Sequence, residues 1–185
     1  MSRDAQGLSL TAASDEAAAA YDHAVEGYLK YRADGGQRLK TAMALDPEMP
    51  MGLVMQGVFA MLAYNTAMVP RAQAAAEKAA RFAGNDRERA HAAALARWAG
   101  GDVDGALSAW EAIMAAHPHD LVAFRVDHFC AFWLGRAGQM LRAVDAVAPH
   151  WSAELPGYGS ILACRCFANE EAGNYQVAEE AGRAA

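Results

Sequence analysis

The sequence predicts an all-α fold, an α-solenoid of about five antiparallel helix hairpins. Three observations predict it. Alanine fills 46 of the 185 positions, against two isoleucines and three threonines. Such usage favours helices over strands and lets helices approach closely. Glycines and prolines divide the chain into segments of helical length joined by short connections, so consecutive helices should be antiparallel neighbours. The punctuation also recurs, with a spacing of about 34–37 residues.

Residues 1–13 read as an N-terminal tail, and 14–185 as one helical-repeat domain. Helices are expected at 14–33, 36–46, 50–65, 70–83, 86–99, 103–116, 120–135, 138–148, 157–171 and 174–184. Asp102 precedes a stripe of Ala106, Leu107, Trp110, Ile113 and Met114, which is helical periodicity with an N-cap in front. Asn85 or Asp86 starts the helix before it, and Asn174 starts the last one.

The helices repeat in pairs. Gly101-Asp102, Gly138-Gln139 and Gly173-Asn174 each open a second helix, and Ala106, Ala143 and Ala178 each follow their glycine by five residues. Pro47 and Pro118 both end a second helix, two periods apart. The small alanine lets two helices meet, Trp110 fills the gap four residues on, and Pro118 turns the chain into the next pair. This period is the tetratricopeptide type, and it predicts a right-handed superhelix.

From Asp15 onward the chain resembles one particular group, the tetratricopeptide repeat protein 38 family. The resemblance is carried by Asp46-Pro47 with Met51-Gly52, and by Arg87-Glu88 with His91. Gly101-Asp102, Ala106, Trp110-Glu111 and His117-Pro118 follow, then Asp120-Leu121, His128, Gly135 and Met140. Pro149 with Trp151 and Glu171 with Gly173, Tyr175, Ala178 and Glu179 complete it. The resemblance implies a fold more than an activity. It also implies that the chain is the first part of a longer array.

Composition narrows the function. A net charge of -6 without a Lys/Arg cluster argues against nucleic acid as a partner. The uncharged stretch between Pro50 and Pro70 carries Gly52, Gln56, Gly57, Asn65 and Thr66, and it reads as an interior helix rather than a membrane span. Cys130, Cys164 and Cys166 are odd in number and form no disulfide framework, which fits buried thiols in a reducing compartment. Acidic residues near the start and the lack of an apolar run argue against a signal peptide, so the expected location is cytoplasmic.

In tetratricopeptide arrays the first helix of each pair lines a concave groove. Counting from Ala106 places Glu88, His91, Leu95 and Trp98 on that face; counting from Ala143 places Arg125, His128 and Phe132 there. On this register His91 and His128 are equivalent residues of adjacent repeats. The expectation is a scaffold that binds a peptide or protein partner in the groove. A small anionic ligand held between His128 and Arg125, or an enzyme with a His/Glu/Arg site, is the alternative. Glu88 and His91 could equally pair with each other along one face, and His128 beside Asp127 also fits an interior histidine. Glu88-x-x-His91 lacks the second motif a di-iron site would need, so neither metal nor cofactor is expected. The last hairpin ends without a polar cap, so an apolar face there is expected to be exposed or covered by self-association.

Overall fold

The computed structural model describes residues 2–185. The fold is an all-α array of helix hairpins, and the chain forms two compact units, one running to Trp110 and one comprising Glu111–Ala185.

In the first unit the helices are α1 (Asp15–Leu29), α2 (Gly35–Leu45), α3 (Pro50–Leu62), α4 (Val69–Phe82) and α5 (Asp86–Ala99), followed by the start of α6 (Val103–Ala116). α1 packs on α2, α3 on α4, and α4 on α5, so each helix meets its neighbours in sequence. This nearest-neighbour pattern is what a solenoid requires. Alanine spacing explains α4: Ala72, Ala75, Ala76 and Ala79 are all buried on one face. At Gly57 of α3 the approach to α5 is closest, since a methyl group there would run into Leu95 Cδ2. No helix is long and apolar enough to cross a membrane among the described residues. The uncharged stretch instead supplies α3, whose Met51, Leu53, Val54, Met55 and Val58 are core residues.

The second unit contains the end of α6, then α7 (Leu121–Trp133), α8 (Ala137–Val147), α9 (Tyr158–Glu171) and α10 (Tyr175–Ala184). α7 pairs with α8, α8 meets α9, and α9 pairs with α10. Trp151 is buried, and its indole Nε1 donates to the Pro118 carbonyl at 2.9 Å.

The helix starts follow the capping chemistry. Asn85 Oδ1 accepts from Glu88 N at 3.0 Å, Asp102 Oδ1 from Gly105 N at 2.9 Å, and Asp120 Oδ1 from Ala123 N at 2.9 Å. Each satisfies one of the amides that the first helical turn leaves without a partner. Asn174 stands at the start of α10, but its side chain turns back and donates to Asn169 Oδ1.

The first helices end alike. Gly101, Gly135 and Gly173 have φ of +88°, +67° and +80°. Beyond each, an amide reaches back to a carbonyl five residues earlier: Asp102 N to Arg97 O at 2.9 Å, Arg136 N to Ala131 O at 2.9 Å, Asn174 N to Asn169 O at 2.7 Å. These are Schellman closures, which need a left-handed residue. Arg32 N makes the same bond to Gly27 O at 2.9 Å, with Tyr31 taking the left-handed place at φ 50°.

Two expectations are corrected here. The turn glycine of the fourth hairpin is Gly135, not Gly138, which lies inside α8. Aligned on the turns, His91 corresponds to Arg125, Trp98 to Phe132, and His128 to Ala94. The register that equated His91 with His128 is therefore off by three residues. The second correction concerns 1–13. Ser2–Arg3 (β1) pairs antiparallel with Ser9–Leu10 (β2), and Leu10 is completely buried. The described part of the expected tail is a structured strap.

Candidate functional site

In the first unit, Glu88, His91 and Leu95 are 0% exposed and Trp98 is 9% exposed. They lie inside the unit and do not line an open groove. Glu88 shows why. Its Oε1 accepts from Thr11 N at 2.7 Å, while Oε2 accepts from Thr11 Oγ1 and Gly84 N, both at 2.8 Å. Both oxygens are committed to the strap and to the turn before α5. The i,i+3 spacing of Glu88 and His91 thus reflects a shared buried face. Trp98 meets Trp110 edge to face, with ring centroids 5.5 Å apart. Trp110 is 2% exposed, as expected of the residue that fills the gap.

The second unit does gather its three residues near one another on α7, together with α9. His128 is buried, and its Nε2 donates to the Cys164 carbonyl at 3.1 Å. Burial first, and the Arg125 charge second, push its pKa down to about 4. The ring is therefore neutral at pH 7 and its Nε2 proton is already given to backbone. Arg125 Nη1 donates to Cys164 Sγ at 3.3 Å, and its guanidinium lies 6.0 Å from the Phe129 ring centre. Cys164 thus fills the place where an anion was expected between His128 and Arg125.

Nor do the two buried thiols, Cys130 and Cys164, offer a nucleophile. Burial raises the pKa of Cys164 and raises that of Cys130 to about 12, so both stay protonated at neutral pH.

Beyond His128 the face becomes aromatic and opens to solvent. Phe132 and Phe167 lie 4.9 Å apart, ring centre to ring centre, at 60°. Phe167 also meets His128 at 6.1 Å, and Trp133 meets Phe132 at 5.4 Å. Trp133 is 60% exposed, Leu134 44% and Phe167 36%. Phe132, a predicted groove residue, belongs to this open cluster; Trp133 and Leu134 escaped the repeat register because they follow it at the helix end.

Next to His128 in sequence stands a buried acid. Asp127 is 0% exposed, and neither carboxylate oxygen has a hydrogen-bond donor among the described residues. Burial, and then repulsion from Glu111, raise its pKa to about 7; Arg142 pulls the other way. Glu111 is itself held by Gln139, whose Nε2 donates to Oε1 at 2.9 Å. Among the described residues, no three His, Cys, Asp or Glu side chains are grouped to hold a metal ion.

Compared with known proteins, the chain matches no family model and no solved structure.

Proposed function

We propose that this chain is a tetratricopeptide-type scaffold of the cytoplasm that binds a peptide or protein partner, and that it is related to the tetratricopeptide repeat protein 38 family. The observation that carries the reading is the solvent-open aromatic cluster on the first helices of two successive hairpins. Phe132 and Trp133 come from α7, Leu134 caps it, and Phe167 comes from α9. Exposed clusters of large apolar side chains on a folded unit mark binding surfaces more often than chance placement does. Arg125 on α7 adds a cationic group beside Phe129. The partner that suits this chemistry is a segment offering an aromatic or aliphatic side chain next to a carboxylate.

A displayed random-peptide library selected on the full chain tests this. Recovered peptides should share an apolar residue next to Asp or Glu. Phe167→Ser and Trp133→Ser, both at exposed positions, should each reduce their binding at least tenfold with the circular dichroism spectrum unchanged. Peptides that bind the variants as well as the parent would sink the reading.

A further inference from the structure

Residues 2–13 are held as a bound peptide would be. The strap's own hairpin has only two residues per strand, too short to be stable by itself. It takes its order from side chains of the helices. Asp22 Oδ1 on α1 accepts from Ala5 N at 3.1 Å. Arg87 Nη2 on α5 donates to Ser9 O at 2.9 Å and pairs with the Asp4 carboxylate at 3.2 Å, with both side chains 5% exposed. Glu88 takes the amide and the hydroxyl of Thr11. Asp46 Oδ2, at the end of α2, accepts from Ala13 N at 2.8 Å. The recognised groups fall on alternate residues 9, 11 and 13, which is how an extended chain is read from one side.

Between these polar contacts sits one apolar anchor, Leu10, at 0% exposure. Gly84 completes the fit, because a methyl group there would run into Thr11 Oγ1. The strap's fully buried hydrophobic contribution is thus a single leucine, and the rest is charged hydrogen bonding, to its backbone and to the side chains of Asp4 and Thr11. That is the make-up of a recognition interface, with a small apolar centre and a polar surround, rather than of a core element. Exchange requires that the helices keep their own packing while Asp22, Asp46, Arg87 and Glu88 are solvated in the strap's absence.

We propose that the first unit is a peptide-binding cradle whose occupant in this chain is its own residues 4–13, and that a similar extended segment of another protein takes that place by exchange. The ligand class is set by the contacts. It is a chain with an apolar residue at the Leu10 place, Ser or Thr immediately after it, and a carboxylate six residues before it. The Thr11 hydroxyl donates to Glu88, so a residue without a donor there leaves a buried carboxylate oxygen short of a partner. This site is separate from the aromatic face of the second unit and stands or falls independently of it.

The test uses the full chain with a protease-cleavable linker inserted between Ala13 and Ser14. After cleavage the helical spectrum should be unchanged. A fluorescein-labelled synthetic peptide of residues 2–13 should then exchange into the cleaved protein saturably. Thr11→Val in the peptide should weaken binding at least tenfold, and Leu10→Asp should abolish it. Glu88→Gln in the protein should also weaken binding at least tenfold, with the Phe167-dependent library peptides still bound. Loss of helix on cleavage would make the strap a structural part and overturn the proposal. So would a cleaved protein that stays folded but neither rebinds the peptide nor exchanges it after prolonged incubation.

Discussion

Glu88 and Thr11 lie 77 residues apart in sequence and meet through two hydrogen bonds, amide to Oε1 at 2.7 Å and hydroxyl to Oε2 at 2.8 Å. A fully buried carboxylate is tolerated because Gly84 N adds a third donor. Removing it leaves three donors without their acceptor. Glu88→Ala should expose the Thr11 and Gly84 amides to exchange about a hundredfold faster, equivalent to roughly 3 kcal/mol of local protection. Amides of α3 should keep their protection. Hydrogen exchange read by NMR checks both; uniform loss across the unit would mean that Glu88 stabilises the whole fold.

Trp110 carries the largest fully buried side chain and packs on Trp98. Trp110→Ala should cost about 3–5 kcal/mol, the range for large aromatic truncations in a core. Urea unfolding followed by circular dichroism measures it. A cost below about 1 kcal/mol would mean that the surrounding helices close over the gap.

The two glycines near the α7–α8 turn should behave oppositely. Gly135 is left-handed with open space around it, so Gly135→Ala should cost about 1 kcal/mol from backbone strain alone. Gly138 lies in the first turn of α8, with Arg142 Nη1 3.8 Å from where a methyl would sit. Gly138→Ala should be neutral or stabilising by up to about 0.5 kcal/mol. Paired melting curves decide this, and the reverse order would restore Gly138 as the turn residue.

Asp127 and His128 should oppose each other in pH dependence. The folded pKa of Asp127 is raised to about 7 from 3.8, so the stability it allows at low pH is lost as pH rises from about 4 to 7. The folded pKa of His128 is lowered to about 4 from 6.5, so the stability present above pH 6.5 is lost as pH falls towards 4. Between pH 4 and 6.5 the two slopes largely cancel. Asp127→Asn should leave stability unchanged near pH 4 and raise it at pH 8 by about 2–4 kcal/mol, since each pKa unit is about 1.4 kcal/mol. The same variant should uncover the acid sensitivity that His128 confers. Urea midpoints at pH 4.5, 6 and 8 check this, and parallel pH curves for parent and variant would refute it.

Much of the fold was legible because it is local. Helix positions followed from alanine spacing, from Asn85 and Asp102 at the caps, and from glycines and prolines at the turns, all of which act within a few residues. The burial of Trp110 followed from the same repeat. Register was less legible: both Gly135 and Gly138 suit a turn, and only backbone dihedrals separate them. His128 could not be assigned a face from its helix, because α7 buries residues nearly all round, Phe124, Val126, Asp127 and Cys130 among them.

By itself, then, the sequence determined that the chain is a run of antiparallel helix pairs, roughly where they lie, and which tryptophan fills a core. The tertiary structure alone decided what the polar residues do. Glu88 has a partner 77 positions away, His128 a carbonyl 36 positions away, and Asp127 no donor among the described residues. The physical reason is range. Helix capping and periodicity are written over one or two turns, whereas a buried polar group takes whatever donor the packing of distant segments brings within hydrogen-bond distance.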